Sequence, residues 1–242
     1  MSLNIQKTPL ITTAAIDRPE ARNAINFDVM EKLENLLSEI ENDPKLRLFI
    51  LTGNGDSFIS GGDLREFHQI KDAAGAKSMT RRMMSIMKRI ENLSCWTLAA
   101  LNGHTYGGGW ELSLAFDFRV AASSAKIGFT QGKFYLPPGW GGITSLTQSV
   151  GKHQALYWLA SQKVVTAAEA QKAGFLQDVF EEEEFQTRLN KLKKSMTLND
   201  RQFIEYVKSS DIQSVVDEID PFSSFWESEE HLKRVDEFLN RK

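Results

Sequence analysis

A helical spacing of apolar residues is clearest in the segment that begins after Asn26. The apolar stripe consists of Phe27, Met30, Leu33, Leu36, Leu37 and Ile40. These positions lie three or four residues apart, so they share one face of a helix. Asn26 is a favourable N-cap, and Pro44 lies where a helix could not continue. The pattern therefore predicts an amphipathic helix between them.

Short apolar and β-branched runs alternate with helical patterns over the first two thirds of the chain. The runs predict strands at residues 9–16, 46–52, 97–101, 118–122, 126–129 and 176–180. Further helices are expected at residues 63–70, 78–93 and 108–116. The acidic run 181–184 suits the solvated start of a helix, and the last fifty or so residues predict helices only. This order indicates an α/β core followed by a helical C-terminal region.

The composition restricts the class of protein without identifying it. The 242 residues include 41% hydrophobic and 25% charged residues, which is ordinary for a globular chain. A net charge of −3 gives no reason to expect nucleic acid or an anionic membrane as a partner. No apolar run approaches the roughly 20 residues of a membrane span, and the first ten residues lack a signal-peptide core. We therefore expect a soluble, cytoplasmic protein.

The cysteine and histidine content gives little support for redox or metal chemistry. Cys95 is the only cysteine, so an intrachain disulfide is impossible, and a structural thiol in a reducing cytosol is the expected role. The four histidines are far apart and lack metal-ligand spacing. The sequence therefore predicts no metal site.

Two glycine-rich segments, residues 58–64 and 102–111, each follow a predicted strand and precede a predicted helix. Glycines at such turns allow the backbone to approach a ligand closely. The first N–H groups of a helix lack intrahelical partners and lie at its positive end. Two such ends that converge could bind an oxygen atom as it gains negative charge. Each segment alone could equally be a tight connection.

Common phosphate and hydrolase motifs are missing from the sequence. It contains no G-x-x-x-x-G-K-S/T loop and no G-x-G-x-x-G between a strand and a helix. A G-x-S-x-G nucleophile elbow is also missing. The two glycine-rich segments therefore require another explanation.

Five ordered blocks resemble one known family. Residues 18–24 resemble its R-P-x-x-x-N-A segment, residues 60–64 its A-G-A-D-L loop, and residues 102–112 its N-G-x-x-x-G-G-G-x-E-L element. Residues 116–121 resemble its C-D-x-R-x-A strand, and residues 138–142 its P-G-x-G-G turn. The chain thus resembles the crotonase (enoyl-CoA hydratase/isomerase) superfamily from about residue 10 to residue 180.

The resemblance implies a spiral of ββα units at residues 1–185. The helical region at residues 186–242 would then build homotrimers or hexamers and cover the active site. The implied substrate is an acyl thioester of coenzyme A, with no separate cofactor. Its enolate would be stabilised by the backbone amides of Gly62 and Gly108, beside Glu111 as acid/base. The positions implied for substrate binding are Arg22, Ala24, Ser60, Gly61, Asp63, Leu64, Tyr106, Thr130 and Pro138.

One position departs from the pattern of the family's hydratases, which use two glutamates. The second glutamate position falls on Gln131, if the unusual segment 133–136 keeps the register. An amide cannot exchange a proton near neutral pH, so simple hydration is in question. Residues 127–131 and 140–142 resemble the family's methylmalonyl/ethylmalonyl-CoA decarboxylases. Hydration, isomerisation, decarboxylation and a catalytically weak acyl-CoA-binding scaffold all remain open.

Overall fold

The computed structural model describes residues 2–208 and 219–240. The chain forms two compact units, Met1–Arg201 and Gln202–Lys242. The sequence places the division after residue 185, but the next helix packs on the first unit through Phe185 and Leu189. Residues 209–218, 241 and 242 of the predicted C-terminal region lie outside the described residues.

Two sheets make up the first unit. The strands are β1 (Leu3–Lys7), β2 (Ile11–Ile16), β3 (Leu48–Gly53), β4 (Ser57–Ile59), β5 (Trp96–Leu101), β6 (His104–Tyr106), β7 (Phe118–Ala122), β8 (Lys126–Gly128), β9 (Val164–Thr166) and β10 (Asp178–Phe180). The six-stranded sheet has the order β1-β2-β3-β5-β7-β10, and the four-stranded sheet has the order β4-β6-β8-β9. β1 pairs antiparallel with β2, and β9 with β8, whereas the other pairs are parallel.

Helices alternate with the strands, and those after β10 make up most of the rest of the described chain. They are α1 (Phe27–Ile40), α2 (Leu64–Phe67), α3 (Ala73–Glu91), α4 (Gly108–Ser113), α5 (Gly142–Val150), α6 (Lys152–Ala160), α7 (Ala167–Lys172), α8 (Phe185–Met196), α9 (Arg201–Lys208), α10 (Ile219–Trp226) and α11 (Glu229–Leu239). Short 3₁₀ turns lie at Pro19–Ala21, Gln131–Phe134 and Glu182–Glu184. The exposed acidic run therefore forms a 3₁₀ turn that leads into α8.

A repeating order of elements produces the predicted spiral. The orders β3-β4-α2, β5-β6-α4 and β7-β8-α5 each place a strand in the large sheet, a strand in the small sheet and then a helix. Because β4, β6 and β8 are parallel neighbours, their C-terminal ends lie at one edge of the small sheet. The loops that follow these strands therefore meet at that edge.

The apolar pattern explains how the layers pack. The predicted stripe on α1 is buried apart from the partly buried Phe27, and it joins one large core cluster with both sheets. The residues of β3 face two different clusters, Phe49 and Leu51 one of them and Leu48 and Ile50 the other. A strand buried on both faces is typical of parallel sheets covered by helices. The single cysteine is also buried in the core.

Arg119, the arginine of the Asp-x-Arg block, has a structural role. Its buried guanidinium donates hydrogen bonds to the carbonyl oxygens of Phe175 (2.7 Å) and Phe116 (3.0 Å). Burial lowers the pKa of Arg119 to about 10, although nearby Asp117 acts to raise it. These bonds join β7 to the turn after α4 and to the segment before β10.

Candidate active site

The loops after β4 and β6 are in direct contact. Gly61 has a φ of +116°, which disfavours any side chain. A Cβ atom at Gly61 would lie 3.3 Å from the amide nitrogen of Gly108 and 3.5 Å from the carbonyl oxygen of Tyr106. Glycine is therefore needed here both for its backbone angles and for the close approach of the second loop. The two glycine-rich segments do converge.

The amides of Gly62 and Gly108 lie on these touching loops without a protein acceptor among the described residues. On either side of Gly62, the amides of Ile25 and Asp63 are bonded to backbone carbonyls across an isolated bridge. Gly108 is the first residue of α4, where an N–H group has no intrahelical partner. Both amides thus remain available as donors to a ligand.

Two aromatic rings explain why residues 62 and 108 are glycines. A Cβ atom at Gly108 would lie under 3.0 Å from three atoms of the six-membered ring of Trp140. At Gly62 it would lie 2.6 Å from Cε2 of Phe67 and 3.7 Å from Cζ2 of Trp140. Any side chain at these positions would displace a ring, so close packing selects glycine.

The early turn is hydrogen-bonded to the first glycine loop. The carbonyl oxygen of Arg22 accepts a hydrogen bond from the amide of Ser60 (3.1 Å), and the carbonyl oxygen of Gly61 accepts one from Ile25 (2.8 Å). Arg22 has a φ of +51° and an exposed side chain, whereas Ala24 is buried. The side chain of Arg22 therefore lies at the protein surface beside the site.

Asp63 has a structural task besides its predicted place in the substrate site. Its carboxylate forms an ion pair of 2.8 Å with Arg18 and caps α2 through the amide of Arg65 (3.0 Å). Burial acts to raise the pKa of Asp63, but the hydrogen bonds from Arg18, Glu66 and Arg65 outweigh it and lower the pKa. Arg18 also donates to the carbonyl of Ala24 (2.5 Å). The ion pair therefore fixes the early turn against the glycine loop.

The remaining predicted substrate-binding residues lie near the first glycine loop, at the end of β6 and between β8 and α5. Ser60 is partly buried, and its hydroxyl donates to a carbonyl of the early turn (3.3 Å), while Leu64 is 52% exposed at the start of α2. The ring of Tyr106 lies against the backbone of β8, at Gly128. Thr130 and Pro138 are partly buried in the segment between β8 and α5.

Glu111 points into the interior and is only 2% exposed. Its Oε2 accepts from the amides of Trp140 (2.8 Å) and Gly142 (3.1 Å). Its Oε1 accepts from Nε2 of Gln131 (3.0 Å) and the amide of Gly139 (3.3 Å). Burial raises the pKa of Glu111 above its usual range, although these four hydrogen bonds each lower it. The carboxylate is thus buried and well supplied with donors.

Gln131 connects Glu111 to a buried indole. Its Oε1 accepts from Nε1 of Trp110 at 3.2 Å, while its Nε2 donates to Glu111. An indole N–H can only donate and a carboxylate can only accept, so these partners determine the orientation of the amide. The position counted as the family's second glutamate therefore does contact the first.

Three aromatic residues of the site are missing from the sequence prediction. Trp110 orients Gln131, Phe67 packs on Gly62, and Trp140 packs on Gly62 and Gly108. Trp140 was visible as the variable residue of the P-G-x-G-G block, where a large apolar side chain between glycines is a signal of close packing. The contacts of the other two depend on the tertiary fold.

The rest of the described chain offers no competing metal site or membrane segment. Among the described residues, no group of three or more His, Cys, Asp or Glu side chains is arranged to hold a metal ion. None of the described helices combines the length and apolar character needed to span a membrane. A separate surface cavity of about 500 Å³ includes Asp117, Ser145 and Gln148 and none of the predicted site residues.

Comparison with solved structures identifies the class of fold. The chain matches an enoyl-CoA hydratase from Bacillus anthracis with a TM-score of 0.90 and 26% identity, covering 98% of this chain and 96% of the other. It matches an enoyl-CoA hydratase from Thermoplasma volcanium with a TM-score of 0.86 and 27% identity, covering 100% and 98%. The chain therefore has the crotonase fold, as the sequence predicts.

Sequence comparison identifies the family. Residues 7–220 match the family described as enoyl-CoA hydratase/isomerase, so the chain belongs to that family. It is 33% identical to a crotonyl-CoA hydratase from Syntrophomonas wolfei, over 78% of this chain and 72% of the relative. It is 34% identical to a 2,3-dehydroadipyl-CoA hydratase from Escherichia coli, over 74% and 69%. The resemblance predicted from the five blocks is confirmed.

Proposed function

We propose that this protein binds an acyl-CoA thioester and stabilises its enolate with the amides of Gly62 and Gly108. The observation that carries the proposal is the pair of unpartnered amides on two touching loops, in a chain that belongs to the enoyl-CoA hydratase/isomerase family. The thioester carbonyl oxygen becomes more negative as the enolate forms. Two fixed donors bind that oxygen more strongly than the ground-state carbonyl, which lowers the barrier.

Glu111 is the proposed acid/base beside these amides. It lies one turn into the helix that begins at Gly108, and its pKa is raised by burial. A carboxylate with a raised pKa is better matched to removing and returning a proton near neutral pH. The family resemblance and the structure support the same role.

Gln131 favours reactions that need one proton carrier or none. Its amide lies against Glu111 at 3.0 Å, at the place counted for a second carboxylate, and it cannot exchange protons. Moving a double bond needs one group that removes and returns a proton. Loss of CO₂ from a malonyl-type thioester generates the enolate directly, so decarboxylation is our second candidate. The relatives named above are hydratases, so hydration belongs in the same test.

The proposed substrate-binding surface is formed by the early turn and the two glycine loops. Arg22, with its exposed guanidinium, suits the phosphates of coenzyme A. Ala24, Ser60, Gly61, Asp63 and Leu64 would line the same side, with Tyr106, Thr130 and Pro138 around the acyl group. Coenzyme A enters as part of the substrate, so the proposal needs no resident cofactor. The cytoplasm remains the proposed location.

A panel of acyl-CoA thioesters in D₂O, analysed by mass, separates the reactions. Hydration adds one molecule of D₂O, and decarboxylation replaces CO₂ with one deuteron at the α-carbon. Isomerisation of 3-butenoyl-CoA removes a proton at the α-carbon, returns one at the γ-carbon and gives crotonyl-CoA, which chromatography separates from its isomer. Crotonyl-CoA, 3-butenoyl-CoA and ethylmalonyl-CoA are suitable probes. A protein that binds these thioesters, changes none of their masses and does not convert 3-butenoyl-CoA to crotonyl-CoA would be a scaffold instead of an enzyme.

Paired variants at Gly108 test the amide itself. Gly108→Pro removes the N–H at a helix position that tolerates proline, but it also adds a Cβ atom against Trp140. Gly108→Ala adds the same Cβ atom and keeps the N–H, so it is the matched control. We expect turnover by the Pro variant to be lower than that of the Ala variant by about 10²-fold or more. Equal turnover in two folded variants would disprove the assignment.

A further inference from the structure

The indole of Trp140 is the largest group next to the two proposed oxyanion amides. It is only 6% exposed. Its six-membered ring lies against the Cα atoms of both Gly108 and Gly62, where Cβ atoms would overlap it or touch it. A carbonyl group that binds both amides would therefore lie near this ring.

The backbone of the segment that carries the indole is fixed by hydrogen bonds. The amide of Trp140 donates to Oε2 of Glu111 at 2.8 Å, and the amide of Gly142 donates to the same oxygen at 3.1 Å. A side chain at Gly142 would meet Trp110 and Glu111, so this segment also lies close to the core. The proposed acid/base thus fixes the segment that positions the indole.

Phe67 forms a second wall next to Gly62. Its ring lies against the Cα of Gly62 on one side and packs on Phe27, with ring centroids 5.3 Å apart. Gly62 therefore lies beside two large rings, one from α2 and one from the segment before α5, whereas Gly108 lies beside Trp140 alone. Large apolar side chains next to a binding site discriminate between ligands by size.

We propose that Trp140, assisted by Phe67, determines acyl-chain specificity by restricting the site to short acyl groups. This inference rests on the proposed function, because it assumes that the thioester carbonyl binds at Gly62 and Gly108. The expected substrates are acyl-CoA thioesters with short acyl groups, whereas long straight chains would have to displace an indole whose backbone is bonded to Glu111. Each methylene that does not fit is typically worth about tenfold or more in kcat/KM.

The test is the chain-length profile of kcat/KM for four-, eight- and twelve-carbon thioesters. We expect the wild type to prefer the four-carbon substrate over the twelve-carbon one by about tenfold or more. Trp140→Ala should lower that ratio by about tenfold or more, and Trp140→Phe and Phe67→Ala should lower it by less. A general folding defect would lower all three rates together, so the ratio isolates specificity.

Trp96→Ala is the matched control, since its indole packs on Phe118 in the large sheet, with ring centroids 5.4 Å apart. It should leave the ratio unchanged. An unchanged ratio in Trp140→Ala, or in Trp140→Phe if the Ala variant does not fold, would overturn the inference and leave the proposed function intact. A wild type that uses twelve-carbon and four-carbon substrates equally would do the same. A wild type that binds no acyl-CoA of any length would overturn the proposed function together with this inference.

Discussion

Replacing Glu111 with Gln tests the proposed acid/base and the hydrogen-bond network in one variant. The carboxylate accepts two N–H groups at each oxygen. A glutamine side chain has one accepting oxygen, and its NH₂ group must face the other pair of donors. We expect the oxygen to face the amides of Trp140 and Gly142, because these include the shortest of the four bonds (2.8 Å). The NH₂ group would then face Gln131 and Gly139.

The loss of stability follows from which donors lose their acceptor. Gly139 is exposed, so water can replace its partner. Nε2 of Gln131 would lack an acceptor in the present orientation of its amide. If the amide turned, Nε1 of Trp110 would lack one instead. One unsatisfied donor costs about 1–3 kcal/mol, partly offset by removal of the buried charge. A loss of this size leaves a typical domain of about 5–15 kcal/mol folded.

The same substitution should abolish proton transfer. We expect deuterium uptake at the α-carbon to fall by about 10²–10⁴-fold, which is the usual contribution of a positioned acid/base. Glu169→Gln is the matched control, because Glu169 also lies in the first turn of a helix but is exposed and bonds to Thr166 in a capping box. It should leave deuterium uptake unchanged.

Two independent results would refute this reasoning. If Glu111→Gln took up deuterium at the wild-type rate, Glu111 would not be the proton carrier. An unfolding free energy equal to that of the wild type in urea titrations would refute the predicted loss of stability. The first result would remove the mechanism and the second only the energetic argument.

Three further predictions concern the second carboxylate, pH and assembly. Gln131→Glu would place two carboxyl groups about 3 Å apart, so they would share a proton. The rate of crotonyl-CoA hydration should then rise at least about tenfold. An unchanged rate would count against residue 131 as the family's second glutamate position. The raised pKa of Glu111 means that its contribution to stability is full below the ordinary pKa of 4.5 and is lost as pH rises through the folded-state pKa. Other acids such as Asp63 have lowered pKa values and act in the opposite direction, so the test is the difference in unfolding free energy between the wild type and Glu111→Gln, which should fall as pH rises. The predicted homotrimer or hexamer is supported by the exposed apolar side chains of Phe222, Trp226 and Leu239. The side chain of Phe238, in the same predicted apolar set, lies outside the described residues. A monomer in light scattering at micromolar concentration would contradict the predicted assembly.

Local signals were sufficient for the longer elements. Asn26 caps α1 as predicted, with its Oδ1 accepting from the amide of Val29 at 3.0 Å. The helix predicted at residues 78–93 begins earlier, at Ala73, because Asp72 caps it through the amide of Gly75 (2.7 Å). Asp72 is thus a local signal in the sequence for the earlier start. The helix predicted at residues 63–70 ends at Phe67.

The small sheet was largely missed because its strands are too short to show a period of two. β4, β6 and β9 contain three residues each. The residues of β6, His104–Tyr106, lie inside what the sequence shows as one glycine-rich turn. Their strand conformation depends on pairing with β4 and β8, which are distant in sequence. Local propensity cannot reveal such pairing.

The candidate site shows the same division between local and long-range information. The positions of Gly62, Gly108 and Glu111 followed from the resemblance, and the loops that carry them do meet. The packing of Trp140 on Gly108 depends on how the segment before α5 crosses α4. The glycines beside Trp140 indicate close packing, but they do not specify its partner, which only the structure shows.

Glu111 is proposed to remove a proton and also holds the segment that carries Trp140, and the geometry shows how both tasks are compatible. A protonated carboxyl oxygen accepts fewer hydrogen bonds, so proton uptake at either oxygen weakens the bonds to that oxygen. A proton on Oε2 would weaken the hydrogen bonds from the amides of Trp140 and Gly142, which are 2.8 and 3.1 Å long. A proton on Oε1 affects Gln131 (3.0 Å) and the exposed Gly139 (3.3 Å). Gln131 can turn its amide oxygen toward a proton on Oε1, at the loss of its 3.2 Å bond with Trp110. Oε1 is therefore the oxygen at which a proton disturbs the site least, and an amide at position 131 accommodates both protonation states of Glu111 while Trp140 stays in place.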